Sequence, residues 1–86
     1  MKRRSNVVID MEILALLLDG PKGPSRLSQA LGLNFNKFLE FATFLESKRF
    51  VRKEVQEGHE MYYVTLEGVE VYQVWDAFYK KFRPEH

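Results

Sequence analysis

The chain contains no cysteine, which excludes a disulfide framework, thiolate metal sites and thiol catalysis. It also lacks a long apolar run. The stretch Leu14 to Leu18 is far below the ~20 residues that span a bilayer. A secretory leader is not expected either, because Asp10 and Glu12 interrupt the apolar residues that follow Lys2-Arg3-Arg4. Charge of one sign is missing as well. Thirteen Lys and Arg against twelve Asp and Glu leave +1, short of the strongly basic balance of a domain that coats phosphates. Internal repeats and low-complexity segments are absent.

What is present is enough to fold. The 86 residues are 45% hydrophobic and 14% aromatic, which supports collapse into one domain over residues 1–86 and leaves no room for a second core. A soluble, cytoplasmic protein is the expectation. Its cations are clustered rather than dispersed: Lys2, Arg3 and Arg4; then Lys48, Arg49, Arg52 and Lys53; then Lys80, Lys81 and Arg83. Any nucleic-acid face must therefore be a local patch on a nearly neutral surface.

Hydrophobic periodicity predicts a first helix over 7–19. Val7, Met11, Leu14 and Leu18 form one stripe and Ile9, Ile13, Leu16 and Leu17 a second, leaving Asp10, Glu12, Ala15 and Asp19 as a narrow polar edge. Gly20-Pro21-Lys22-Gly23-Pro24 stops it. A short helix over 24–31 follows, with Leu27, Ala30 and Leu31 inward and Gly32 placed to end it in a left-handed conformation. Asn34 can cap a third helix, spanning 34–48, whose inner face carries Phe38, Phe41, Ala42 and Leu45. Leu39 and Phe44 fall outside that arc, and their burial requires cover from another helix. After Arg49 the period changes to two, and Glu57-Gly58-His59 separates two strands of a hairpin over 50–64. Thr65 can cap a last helix over 65–82, stopped by Pro84. A short helix joined by a tight turn to a longer one is a helix-turn-helix, and the hairpin after it is a wing. The fold class is thus α+β, mainly α: a winged helix-turn-helix with an additional C-terminal helix.

The runs Leu31-Gly-Leu-Asn-Phe-Asn, Glu46-Ser-Lys-Arg-Phe-Val and Tyr63-Val-Thr-Leu-Glu-Gly resemble the archaeal winged-helix DNA-binding proteins of about ten kilodaltons. The resemblance extends from about Lys2 to Phe82. It implies a dimer, joined through the C-terminal helices, that binds double-stranded DNA. Two positions depart from the family pattern. Arg49 stands where relatives usually carry Gly, so it is expected to hold a left-handed backbone at a cost of ~1 kcal/mol. The wing reads Gln56-Glu57-Gly58-His59-Glu60, where family wings tend to be basic.

Placed in a major groove, the third helix would present Asn36 to adenine, Lys37 to guanine, Glu40 to cytosine and Thr43 to a thymine methyl. Asn34 opens that helix. Ser25 and Arg26 stand where the start of the second helix favours a phosphate. Lys48, Arg49, Lys53 and the N-terminal cluster supply further phosphate contacts, with His59 on the wing. Arg52 and Lys53 point to opposite faces of one strand, so at most one of them faces DNA. Neither His59 nor His86 has partners at metal-ligand spacing, and Gly20 to Pro24 is no P-loop, because no Ser or Thr follows a Gly-Lys pair. No catalytic residue, metal or cofactor is expected.

The last helix carries the strongest apolar signal. Val71, Trp75, Phe78 and Phe82 recur at four, three and four residues with Val74 beside them, while Leu66, Val69 and Tyr72 point elsewhere, onto their own domain. Two apolar faces need two covers, and the second is most simply another copy of the chain. The expectation is a non-catalytic dimeric double-stranded DNA-binding protein, either a transcriptional regulator or a nucleoid-associated architectural protein. The alternative is a winged-helix module with little DNA affinity that docks a protein partner through Leu39, Phe44 and the acidic wing.

Overall fold

A computed structural model describes residues 6–82 of the chain. The Lys2-Arg3-Arg4 cluster, Arg83, the Pro84 stop and His86 lie outside the described residues. In chain order the elements are α1 (Asn6–Leu18), α2 (Pro24–Leu31), α3 (Phe35–Ser47), β1 (Val51–Gln56), β2 (His59–Val64) and α4 (Leu66–Phe82). Four helices with one two-stranded antiparallel sheet make a mainly helical winged helix-turn-helix.

The core forms where α1, α2, α3 and the sheet converge. Leu14, Leu27 and Phe38 are fully buried, with Ile13, Leu17, Leu45 and Tyr62 nearly so. Tyr62 meets Phe38 edge-on at 5.7 Å between ring centroids. Packing corrects the sequence reading of α1. Val7 and Leu18, placed on its inner stripe, are about half exposed, whereas Asp10, placed on its polar edge, is buried. Helix α3 lies beside α1, and the flank that carries Asp10 shares a hollow with Phe41 and Phe44. Leu39 packs against the core, while Phe44 stays about half exposed.

The first helix ends at Leu18 because the Gly20 N–H bonds back to the Leu17 carbonyl at 3.0 Å and Gly20 takes φ +132°. Beyond it, Lys22 pairs with Tyr62 through two backbone hydrogen bonds of 2.9 and 3.2 Å. That isolated bridge pairs one residue with the open edge of β2, inside a segment whose prolines and glycines read as loop. At the other end of the sheet, Glu57 and Gly58 both have positive φ (51° and 80°) and make a two-residue turn of the primed kind that hairpins favour. His59 is consequently the first residue of β2, opposite Gln56.

The corner after α3 explains the Tyr63-Val-Thr-Leu-Glu-Gly run. Arg49 holds φ +65°, and its carbonyl accepts from the Thr65 hydroxyl at 2.7 Å. The Thr65 N–H donates to the Phe50 carbonyl at 3.0 Å, and the Thr65 oxygen accepts from the Gly68 N–H at 3.0 Å, capping α4. A Cβ on Gly68 would lie 2.1 Å from the Phe50 carbonyl oxygen. Only glycine lets α4 start this close to the corner. Further along α4, Val71, Tyr72 and Trp75 pack against the core. Leu66, expected to turn onto its own domain, is instead 76% exposed, because the close approach at Gly68 carries the opposite side of the first turn outward.

Candidate nucleic-acid interface

The turn between α2 and α3 sets the aim of α3. Gly32 ends α2 at φ +70°, its N–H bonded to the Gln29 carbonyl at 3.1 Å, as a left-handed C-cap requires. Asn34 then accepts from the Lys37 N–H at 2.7 Å and starts α3. On α2 the inner face is Leu27, Ser28 and Leu31; Ala30, assigned to that face from sequence, is exposed. The small Ser28 tolerates burial because its hydroxyl donates to the Ser25 carbonyl at 3.0 Å.

With Phe38, Phe41, Ala42 and Leu45 turned inward, Asn36, Lys37, Glu40 and Thr43 occupy the exposed side of α3. Lys37 Nζ sits 3.5 Å from Glu40 Oε1. Both side chains are largely solvated, so the pair contributes at most ~1 kcal/mol and is readily exchanged for another partner.

A second surface lies at the start of α2. The start of α2 and the tip of the wing enclose a cleft of about 460 Å³ lined by Gly23, Pro24, Ser25 and Arg26 on one side and Gly58, His59, Glu60 and Met61 on the other. Ser25, Arg26 and His59, far apart in sequence, thus share one cleft. Gly23 is the N-cap of α2 and provides no side-chain cap, so the first N–H groups of α2 are available to an acceptor from outside the helix.

The remaining sequence-predicted residues sit elsewhere. Lys53 has Glu60 at 3.9 Å and the Tyr62 ring at 6.0 Å; Arg52 has Glu54 at 2.7 Å and the Tyr63 ring at 4.7 Å. Because Lys53 opposes Tyr62 and Arg52 opposes Tyr63 in the ladder, the two cations lie on opposite faces of the wing. Lys48 and Arg49 are exposed at the far end of α3. Lys48 stacks over Phe44 and lines a cleft that includes Glu67 and Glu70, an acidic setting that does not adjoin the wing cleft. Sequence reasoning missed the part played by Met61 and Gly23, which join wing to α2; no local pattern announces a contact between residues that far apart.

Among the described residues no group of three His, Cys, Asp or Glu side chains is placed to hold a metal ion, and no helix is long and apolar enough to cross a membrane.

Residues 3–82 match the winged helix-turn-helix family. No curated protein matches the chain in sequence. Among solved structures, the transcriptional regulator BldR from Sulfolobus solfataricus superposes with a TM-score of 0.81 at 17% identity, over 86% of this chain and 55% of that one. The zinc-responsive MarR family member ZitR from Lactococcus lactis gives 0.73 at 15%, over 94% and 56%. A point mutant of ZitR solved in complex with DNA also gives 0.73, at 14% identity, over 93% and 55%. At such identities the likeness is one of fold. The chain spans little more than half the length of these regulators.

Proposed function

The chain belongs to the winged helix-turn-helix family, and from that premise we propose that it is a non-catalytic, dimeric double-stranded DNA-binding protein of the transcription-regulator kind, acting in the cytoplasm. The observation that carries the reading is the pairing of an uncovered α3 face with a cleft that joins the start of α2 to the wing. In the mechanism, α3 enters a major groove, where Asn36, Lys37, Glu40 and Thr43 meet base edges. Ser25, Arg26, the free N–H groups of α2 and His59 hold the flanking backbone. Lys53, Lys48 and Arg49 contribute at longer range. The Lys37–Glu40 pair opens as Lys37 turns to guanine and Glu40 to cytosine.

Dimerisation supplies the second half-site. Val74, Phe78 and Phe82 form an exposed apolar row on α4, and Phe78 and Phe82 touch at 4.8 Å between ring centroids. Val71 and Trp75, half-covered by their own core, flank this row and complete the contact with a second copy. An archaeal ten-kilodalton relative would share this arrangement.

Duplex titration across salt concentrations tests the reading. Affinity should fall steeply with salt, each neutralised phosphate adding about −0.9 to the slope of log K against log salt. Arg26→Ala should weaken all duplexes alike and reduce the slope by about one, whereas Lys37→Ala should cost ~1–3 kcal/mol only on a preferred sequence. Absence of binding even at ~50 mM salt, where the counterion contribution is favourable, would replace this reading with the protein-docking one.

A further inference from the structure

A hollow of about 330 Å³ opens between the N-terminal half of α1 and the flank of α3. Its walls are of two kinds. Val7, Phe41 and Phe44 are apolar, and Phe44 is 47% exposed. Asp10, Lys37 and Glu40 are charged. Asp10 is only 7% exposed, yet its Oδ1 has no hydrogen-bond partner among the described residues. An ionised carboxylate with one buried oxygen unbonded among the described residues is a costly arrangement unless something completes it. Lys37 does not, because its ammonium lies against Glu40.

We propose that this hollow binds a small organic ammonium compound with an aromatic or aliphatic body, its cation paired with Asp10 and its body packed between Phe41, Phe44 and Val7. Charge selects the class. Asp10 and Glu40 against Lys37 leave the lining itself with one net negative charge, which favours a monocation over an anion; Lys48, over the Phe44 ring at 5.6 Å, lies outside that lining. The rings add to this, since an ammonium group is attracted to an aromatic face within about 6 Å of its centroid. Size selects the scale. The volume is at the low end of the ~300–1,000 Å³ of small-molecule pockets, which suits an arylalkylamine and excludes a folded segment of a protein partner. Nothing in the inference depends on DNA binding, so the two readings fail separately.

Titration of the full chain with 1-naphthylmethylamine, followed by its fluorescence, tests the site. Saturable binding is expected, and the isosteric Asp10→Asn should weaken it about ten-fold or more. The uncharged 1-naphthalenemethanol should bind the wild type at least about ten-fold more weakly than the amine, and should not distinguish wild type from Asp10→Asn. Phe44→Ala should weaken amine and alcohol together. Burial pushes the Asp10 carboxyl up to about 6, so amine affinity should fall as pH drops from 8 to 5. The same series on Asp10→Asn separates this from Lys37 and Glu40, which line the hollow, and from Lys48 over the Phe44 ring, and should be flat. Equal amine affinity in wild type and Asp10→Asn, no preference for amine over alcohol, or no binding at millimolar concentration would each overturn the site. If Asp10→Asn did not fold, the amine-to-alcohol comparison on the wild type would decide alone.

Discussion

Helices α1 and α4 are both rich in large apolar residues, yet the fold treats them differently. In α1, Ile9, Met11, Ile13, Leu14 and Leu17 are buried. In α4, only Gly68 is buried; Val71, Tyr72 and Trp75 are half-covered, and Val74, Phe78 and Phe82 remain between 60% and 72% exposed. Position accounts for the contrast. Helix α1 runs through the middle of the domain and touches α2, α3, β2 and α4, whereas α4 rests chiefly on α1 and β2. Apolar content alone therefore does not separate a core helix from an interface helix. The number of neighbours available to each face does.

Substitutions in the two helices test that contrast, and the largest effect belongs to the central one. Leu14→Ala should cost ~3–5 kcal/mol by urea denaturation, because its fully closed site leaves a cavity. Gly68→Ala comes next, at about 1–3 kcal/mol or more, since the new Cβ meets backbone rather than a movable side chain. If Gly68→Ala proved neutral, the anchoring of α4 at the Phe50 corner would be wrong.

Asp10→Asn should act in the opposite direction, stabilising by about 1–2 kcal/mol at pH 7. The sign follows from the raised carboxyl, which moves from 3.8 to about 6 on burial. Between those values the folded chain holds the proton more tightly than the unfolded one, so wild-type stability falls as pH rises from about 4 through 6. The gain from Asn should accordingly vanish near pH 4, which paired denaturation curves at pH 4 and pH 7 will show. Arg49→Gly should stabilise by ~1 kcal/mol in thermal melts by relieving the left-handed strain before α4. The smallest change in monomer stability, under ~0.5 kcal/mol at low protein concentration, is expected for Phe78→Ala. In sedimentation at high concentration the same variant should shift any dimer towards monomer. An unshifted dimer would place the interface elsewhere.

The element order and the caps at Asn34 and Thr65 were legible in the chain, because each rests on the conformational preference of one residue or on a hydrogen bond a few residues long. The left-handed Arg49, by contrast, was expected only from the glycine that the resembled family carries there. The inward face of α3 was legible too, since Phe38, Phe41, Ala42 and Leu45 repeat at the period of a helix. The candidate interface was readable only in part. Asn36, Lys37, Glu40 and Thr43 follow from the same periodicity, but the joining of Ser25 and Arg26 to His59 does not.

Local chemistry, then, settled the order of helices and strands along the chain. Packing between distant segments settled the rest: the burial of Asp10, the exposure of Leu66 and Ala30, the Lys22–Tyr62 bridge, and the sharing of α4's apolar residues between its own core and open solvent. A helical period says which residues share a face, but not how many neighbours that face will meet. That depends on the angle and distance at which elements cross, which here are set by the left-handed turns at Gly32 and Arg49 and by the backbone contact at Gly68. Those three positions are short-range in cause and long-range in effect, since a few degrees of backbone at each decides what covers side chains tens of residues away.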